Sequence, residues 1–413
     1  MLRGGGAGSI TGVTDFEIRL LSEGEQRATH EMLGRAFHDP RLTDEEWERL
    51  ASAFPADRKF GAFDGDAVIG AASSFGTELA VPGGKAVPAA AVDGVGVRPD
   101  RTRRGVATAL MHAQLRDCAD RGEVVAYLRA SEATIYGRFG YGVSARWKSL
   151  RIDTSHARFR DDAPAGGTVR LLEPDEAHEL LPALYDRIGL HRPGMIARTE
   201  RWWSWGHPRM IDEHVTAVHS GPDGDDGFVL YKPHDRRTLD RPEAGVALLA
   251  ADLHAANLGA LVGLWRFLLG VDLVGQVVAY RPLDEPIGLL LTDPRACEVT
   301  RLEDNTWLRV LDVPAALAAR AYGQAAPVVI EFVDPLLAAN SGRYRISPDG
   351  AERTGAPAGL RLGPEAFGML YLGDRAPSLL AALGRVEVLN PAALPAADRL
   401  FETPLTPHCG TRF

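Results

Sequence analysis

At 413 residues, with 45% hydrophobic and 24% charged residues, the chain is too long for one compact domain and otherwise ordinary for a globular protein, so two or three domains are expected. A net charge of −9 disfavours nucleic acid as the main partner and mildly favours a cationic small molecule. No run of about 18 apolar residues appears, and Cys118, Cys297 and Cys409 have no metal-type spacing, which argues against a disulfide framework or a metal site and for a reducing cytoplasm.

Residues 1–14 are Gly-rich, lack the pattern of a signal peptide and read as a disordered tail. Phe16–Leu21 alternates as a strand, and Ser22 with Glu25 forms a capping box that opens a helix to about Phe37. A second helix is expected over Asp44–Phe54. Lys59–Phe63 and Ala67–Ser74 flank Asp64-Gly65-Asp66, a hairpin signal. Ala89–Val97 reads as a strand, and residues 104–121 place Val106, Leu110, Met111, Leu115 and Cys118 near one helical stripe. Glu123–Leu128 is a strand, Glu132–Phe139 a short helix and Trp147–Ile152 another strand. After the loop at 161–167 a similar order restarts: Val169–Leu171, a helix over Asp175–Ile188, strands at His214–His219, Gly227–Lys232 and Val246–Leu253, and a helix at Leu258–Leu269. This suggests a degenerate internal duplication. From about Asp284, strand-like pieces at Thr306–Val310, Val328–Phe332, Tyr344–Ile346 and Gly359–Leu362 alternate with short helices at Pro314–Ala321, Pro364–Leu370 and Pro377–Leu383, an α+β pattern.

The segment from Val95 to Ala107 carries the chemistry. A strand runs into a tight basic loop that opens a long helix, so backbone N–H groups and the helix N-terminus converge on one place. Arg103 and Arg104 add charge, and Gly105 admits close approach of the backbone. Together they can form a cradle for a pyrophosphate such as that of coenzyme A, and taken alone the triplet reads equally as a basic surface loop capping an ordinary helix.

The strand–loop–helix order and the Val-x-Val-x-Pro lead-in resemble the acetyl-CoA motif of the GNAT superfamily. Ala130-Ser131-Glu132-Ala133-Thr134-Ile135-Tyr136-Gly137-Arg138-Phe139-Gly140-Tyr141-Gly142 closely resembles the Eis family of N-acetyltransferases within it. Leu264–Leu268, Trp307–Leu317 and Leu370–Gly373 also look like that family, so the resemblance spans nearly the whole chain.

The resemblance implies an architecture of α/β and α+β domains: an N-terminal GNAT domain over 15–157, a central GNAT-like domain over 158–285 and a sterol-carrier-like domain over 286–413, assembled as a homohexamer. It implies acetyl-CoA as co-substrate, bound by Val95, Val97, Arg103, Arg104, Gly105, Val106 and Ser131, with no metal, no membrane span and a small amine as acceptor. Leu253–Gly259 has no basic residue, so one coenzyme site per chain is expected. Tyr136 lies just beyond the coenzyme-binding strand and matches the family's proton donor to the departing thiolate. The main-chain carboxylate of Phe413 matches its base, with Glu132 as the rival. Asp39 and Trp47 match acceptor-binding positions, and Tyr141 is expected to be structural.

The chain departs from the family at Thr102, the first position of the phosphate motif, where one phosphate contact is expected either to be weaker or to come from Arg101. It departs again at Arg129 and Arg412, two cations expected beside the acceptor that would repel a polycationic aminoglycoside. Trp202, Trp203 and Trp205 read as packing, and His408-Cys409 as no catalytic pair. Acetylation of a protein lysine and a non-catalytic acyl-CoA or lipid sensor are the alternatives.

Overall fold

The computed structural model describes residues 15–51, 56–205, 208–234 and 246–413. The expected tail at 1–14 and the end of the helix expected to reach Phe54 lie outside the described residues. Contacts divide the chain into two compact units, one of residues 1–74 and 94–114 and one of residues 75–93 and 115–413.

The first unit opens with β1 (Glu17–Leu20). Ser22 N donates to Glu25 Oε2 at 2.8 Å, the expected capping box, and α1 (Gln26–Phe37) follows. It stops at His38, whose φ of 61° is left-handed. A second reciprocal cap, Thr43 with Glu46, opens α2 (Asp44–Ala51). β2 (Lys59–Asp64) and β3 (Ala67–Ala80) form the expected hairpin with Asp64 facing Ala67, and Gly65 supplies a φ of 60° in the turn. The unit also holds the last residues of β4 (Ala86–Val97) and the first turns of α3 (Val106–Asp120). Its core is Ala62, Ile69, Ala72, Val106 and Leu110. The whole expected stripe of α3, Val106 through Cys118, is buried.

In the second unit, the first part of β4 is followed by β5 (Val125–Leu128), α4 (Ala133–Tyr136), β6 (Gly142–Asp153), β7 (Thr168–Leu172), α5 (Pro174–Ile188), α6 (Glu200–Trp205), α7 (Pro208–Asp212), β8 (Val215–Gly221) and β9 (Gly224–Pro233). Then come β10 (Val246–Ala255), α8 (Leu258–Leu269), β11 (Val274–Pro282), α9 (Ile287–Leu290) and β12 (Cys297–Val310). Its large sheet runs β4-β5-β12-β6-β11-β10-β9-β8-β7, with β4–β5 and β10–β11 as parallel pairs whose crossovers are α3 and α8. The repeated β-α-β unit agrees with the internal duplication.

Gly350–Arg353 and Val386–Val388 form short strands for which the sequence reading has no element, and two strands of the large sheet differ from expectation as well. β11 gives no element in the sequence reading, yet it is paired on both sides, to β10 and to β6. Thr306–Val310, expected in the last domain, is the end of the 14-residue strand β12, which inserts antiparallel between β5 and β6. Its far half, Thr306–Val310, is buried, whereas Glu298–Leu302 is exposed, so only the buried half carries a strand-like signal.

The rest of the unit contains α10 (Val313–Ala319), β13 (Val328–Phe332), β14 (Gly342–Ser347), β15 (Gly350–Arg353), β16 (Leu360–Leu362), α11 (Pro364–Tyr371), α12 (Pro377–Ala382), β17 (Val386–Val388) and α13 (Leu394–Phe401). Its five strands form a second sheet in the order β15-β14-β13-β16-β17. α11 packs onto β6 through two glycines. A Cβ on Gly142 would sit 2.2 Å from Glu365 O, and one on Gly368 would sit 2.2 Å from Leu308 O. The closing glycine of the 130–142 motif is thus a packing requirement.

Candidate active site

In the first unit the β4–α3 loop is held by its own charges. Arg98 binds Asp100 at 2.6 and 2.9 Å, and Arg101 lies 2.9 Å from Asp100 and 3.4 Å from Asp64. Thr102 Oγ1 donates to Pro99 O at 3.3 Å, so Thr102 turns back into the loop and Arg101 is committed to carboxylates. Arg103 has a φ of 61° and Gly105 of 84°, two left-handed residues that fold the chain sharply into α3. The first helical bond runs from Ala109 N to Gly105 O at 3.0 Å, so the N–H groups of Val106, Ala107 and Thr108 precede it. Arg103 and Arg104 are exposed, with no ion-pair partner among the described residues. The Val106 side chain belongs to the core, and Val95 and Val97 pack on that core, so these three have backbone groups rather than side chains to offer a ligand. Asp39 is exposed in the turn after α1, and its N donates to Gly34 O at 2.8 Å. Trp47 is half-buried, its ring 5.8 Å from that of His30.

In the second unit, β4 pairs with β5 only from Ala89/Val125 to Val92/Leu128, although β4 runs on to Val97. Beyond the end of β5, α4 carries Tyr136, which is 5% exposed. Burial raises the pKa of its hydroxyl, against which a hydrogen bond with the Ser131 side chain acts. The group therefore stays protonated at neutral pH. Ser131 and Glu132 are exposed. Tyr141 is fully buried, with its ring edge-on to Tyr136 at 5.9 Å, in keeping with a structural role.

The C-terminal tail is not frayed. His408, Cys409 and Thr411 are buried, and contacts follow one another along it. Arg192 donates to Thr406 O at 2.7 Å, and His408 N to Pro193 O at 2.9 Å. Arg129 Nη2 donates to Cys409 O at 2.8 Å and to Thr411 O at 3.0 Å. Trp202 Nε1 donates to Arg412 O at 2.9 Å. The Phe413 ring stacks on Tyr127 at 6.1 Å and meets Phe75 edge-on at 6.0 Å.

The two cations expected beside the acceptor are both engaged. Arg129 lies 5.0 Å from the Trp147 ring, Trp147 stacks on Tyr280 at 4.9 Å, and Arg412 lies 5.8 Å from Tyr280. Arg129 is a tail anchor as well, a role its sequence position does not signal. Trp202 and Trp203 pack as expected, with rings 4.8 Å apart, while the side chain of Trp205 lies outside the described residues.

Behind the tail is a cluster that sequence reasoning missed. Arg198 is buried, held bidentately by Asp252 at 2.8 Å on both nitrogens, with its guanidinium 4.1 Å from the Tyr185 ring and 4.1 Å from the Trp202 ring. Its Nε donates to Thr411 Oγ1 at 3.1 Å. His254 Nε2 is 2.7 Å from Asp252, and burial lowers the His254 pKa to about 4. These residues lie up to 226 positions apart in sequence, and no local pattern links them.

The second parallel pair repeats the first. β10 and β11 pair from Val246/Val274 to Ala250/Ala279, and β10 runs on to Ala255. Past that point lies a cavity of about 370 Å³ lined by His254, Leu258, Arg281 and the tail residues Leu405, His408 and Gly410. Here the helix is closed: Asn257 Oδ1 accepts from Ala260 N at 2.9 Å, and its Nδ2 donates to Asp226 at 2.9 Å. Among the described residues no helix is long and apolar enough to cross a membrane, and no His/Cys/Asp/Glu group could hold a metal ion.

Comparison with known proteins agrees with this geometry. Residues 17–144 and again 194–310 match the acetyltransferase (GNAT) domain family, and 313–410 match the sterol carrier protein domain family. The chain is 35% identical over 407 residues to an uncharacterized N-acetyltransferase of Streptomyces avermitilis, covering 95% of this chain and 98% of that one. It is 35% identical over 358 residues to N-acetyltransferase Eis of Mycobacterium bovis, covering 83% and 85%. The crystal structure of Eis1 from Mycobacterium abscessus superposes with a TM-score of 0.87 at 37% identity, over 96% of this chain and all of that one. Two GNAT domains imply acetyl-CoA as the co-substrate, and the chain belongs to the Eis family of GNAT N-acetyltransferases, with a sterol-carrier-type domain at its C-terminal end.

Proposed function

We propose that the enzyme moves the acetyl group of acetyl-CoA to a primary amine of a small, cationic, aminoglycoside-like molecule, with Tyr136 as general acid and the main-chain carboxylate of Phe413 as base. Arg103, Arg104, Gly105 and the first N–H groups of α3 take the pyrophosphate, where two exposed cations and an open helix end favour negative charge. The acceptor ammonium gives one proton to the carboxylate, the free amine attacks the thioester carbon, the C–S bond breaks as the departing thiolate takes the Tyr136 proton, and the nitrogen's second proton passes to the tyrosinate, leaving the amide. Asp39 and Trp47 serve the acceptor.

The observation that carries this reading is the docked tail, which holds Phe413 between Phe75 and Tyr127. Appending one glycine to Phe413 moves the carboxylate by a residue. Thiol release from acetyl-CoA with a panel of amines should fall at least about 100-fold, the usual scale of a lost positioned base, while acetyl-CoA affinity is kept. Near-normal release from the extended protein would place the base elsewhere, with Glu132 next to test.

A further inference from the structure

Phe413 is two residues from the best-held side chain of the tail. Thr411 is fully buried, and its hydroxyl meets Arg198 Nε at 3.1 Å and Tyr185 OH at 3.0 Å. The proton positions follow from chemistry. An arginine Nε–H can only donate, so Thr411 Oγ1 accepts from Arg198. Tyr185 OH donates to Ile196 O at 2.8 Å, so its oxygen is free to accept the Thr411 proton. Both capacities of the threonine hydroxyl are then used in fixed directions, which locks its rotamer. The main-chain oxygen of Thr411 is also held, by Arg129.

The holders are themselves fixed. Asp252 takes both terminal nitrogens of Arg198, and the rings of Tyr185 and Trp202 lie against its guanidinium. Trp202 then holds Arg412 O, and Tyr127 stacks on the Phe413 ring. Three consecutive residues are each gripped, two of them by side chains of the central GNAT domain.

We infer that Thr411 is a positioning residue: through its hydroxyl, Arg198 and Tyr185 of the central domain set where the Phe413 terminus stands. This rests on the reading of Phe413 as the base. The domain whose helix end is closed to phosphate thus takes part in the reaction of the other by holding its base.

Thr411→Val keeps shape and removes the hydroxyl. Because a misplacement of about 1 Å can cost about 100-fold, kcat should fall roughly 10- to 100-fold with the KM for acetyl-CoA unchanged. Thr411→Ser restores the hydroxyl and should return kcat to within about threefold, a rescue that lost packing alone would not give. Tyr185→Phe, which removes one partner and keeps the ring, should lower kcat about three- to tenfold, and decides the matter if the valine variant does not fold. Wild-type kcat in Thr411→Val, or in Tyr185→Phe where only that variant folds, overturns the clamp when the glycine-extended protein is inactive. An active glycine-extended protein instead overturns the reading of Phe413 itself.

Discussion

The two GNAT domains use the same parallel wedge for opposite ends. In the first, eight residues separate strand from helix, two of them left-handed, and α3 begins with N–H groups that no side chain caps. In the second, only Ala256 and Asn257 separate β10 from α8, and Asn257 caps the helix while touching Asp226. An open helix end beside two arginines attracts phosphate. A capped end beside a carboxylate does not, so the second wedge lacks more than a basic residue or two. Its splayed strands instead face the tail, and Asp252 at the splay carries Arg198. A duplicated scaffold can keep its geometry and exchange its ligand for a piece of its own chain.

The hardest test of this contrast removes the anchor of the second wedge. Asp252→Ala leaves Arg198 buried without its partner, and breaking such a pair costs about 3–5 kcal/mol. Urea unfolding should show a loss of that size, and a loss below about 1 kcal/mol would mean that Arg198 does not depend on Asp252. The next test removes the charge of the first wedge. Arg103→Ala with Arg104→Ala should weaken acetyl-CoA binding in calorimetry by about tenfold, with a flatter dependence on salt than the parent protein shows. Equal affinity and equal salt dependence would move the pyrophosphate elsewhere. The mildest opens the second helix: Asn257→Ala loses a cap worth about 1 kcal/mol. Calorimetry should still find one acetyl-CoA per chain, and a second equivalent would show that the cap alone had closed a coenzyme site.

Much of this was legible in the sequence where the signal is local. Asp64-Gly65-Asp66, Ser22 with Glu25, the stripe from Val106 to Cys118 and the Arg103–Gly105 loop each state their structure within a few residues, because turn and cap chemistry act at that range. The sequence-derived role of Tyr136 gains a buried, protonated setting. What was not legible depends on distant pairing. β11 is clasped on both sides, and its Val277-Val278-Ala279 run follows neither period clearly. β12 reads as a strand only where its neighbours bury it. Arg198, Asp252 and Thr411 look like ordinary polar residues until the fold stacks them. Arg129 read as a cation awaiting a substrate, because nothing near it in sequence names Cys409 O and Thr411 O as its acceptors.

The place of β12 in the sheet also governs how the protein is made. β5 and β6 have β12 between them, and Tyr127 bonds Thr306 across that seam at 2.5 Å. On the ribosome, β5 and β6 emerge roughly 150 residues before β12, a wait of about 10–30 s at ordinary synthesis rates. During that interval each has an open edge, the feature that invites pairing between chains. The first acetyltransferase match ends at residue 144, well short of the strand that closes its sheet. A fragment cut there would keep the β4–α3 loop and carry a raw edge where β12 belongs, so it should aggregate rather than fold as an independent enzyme.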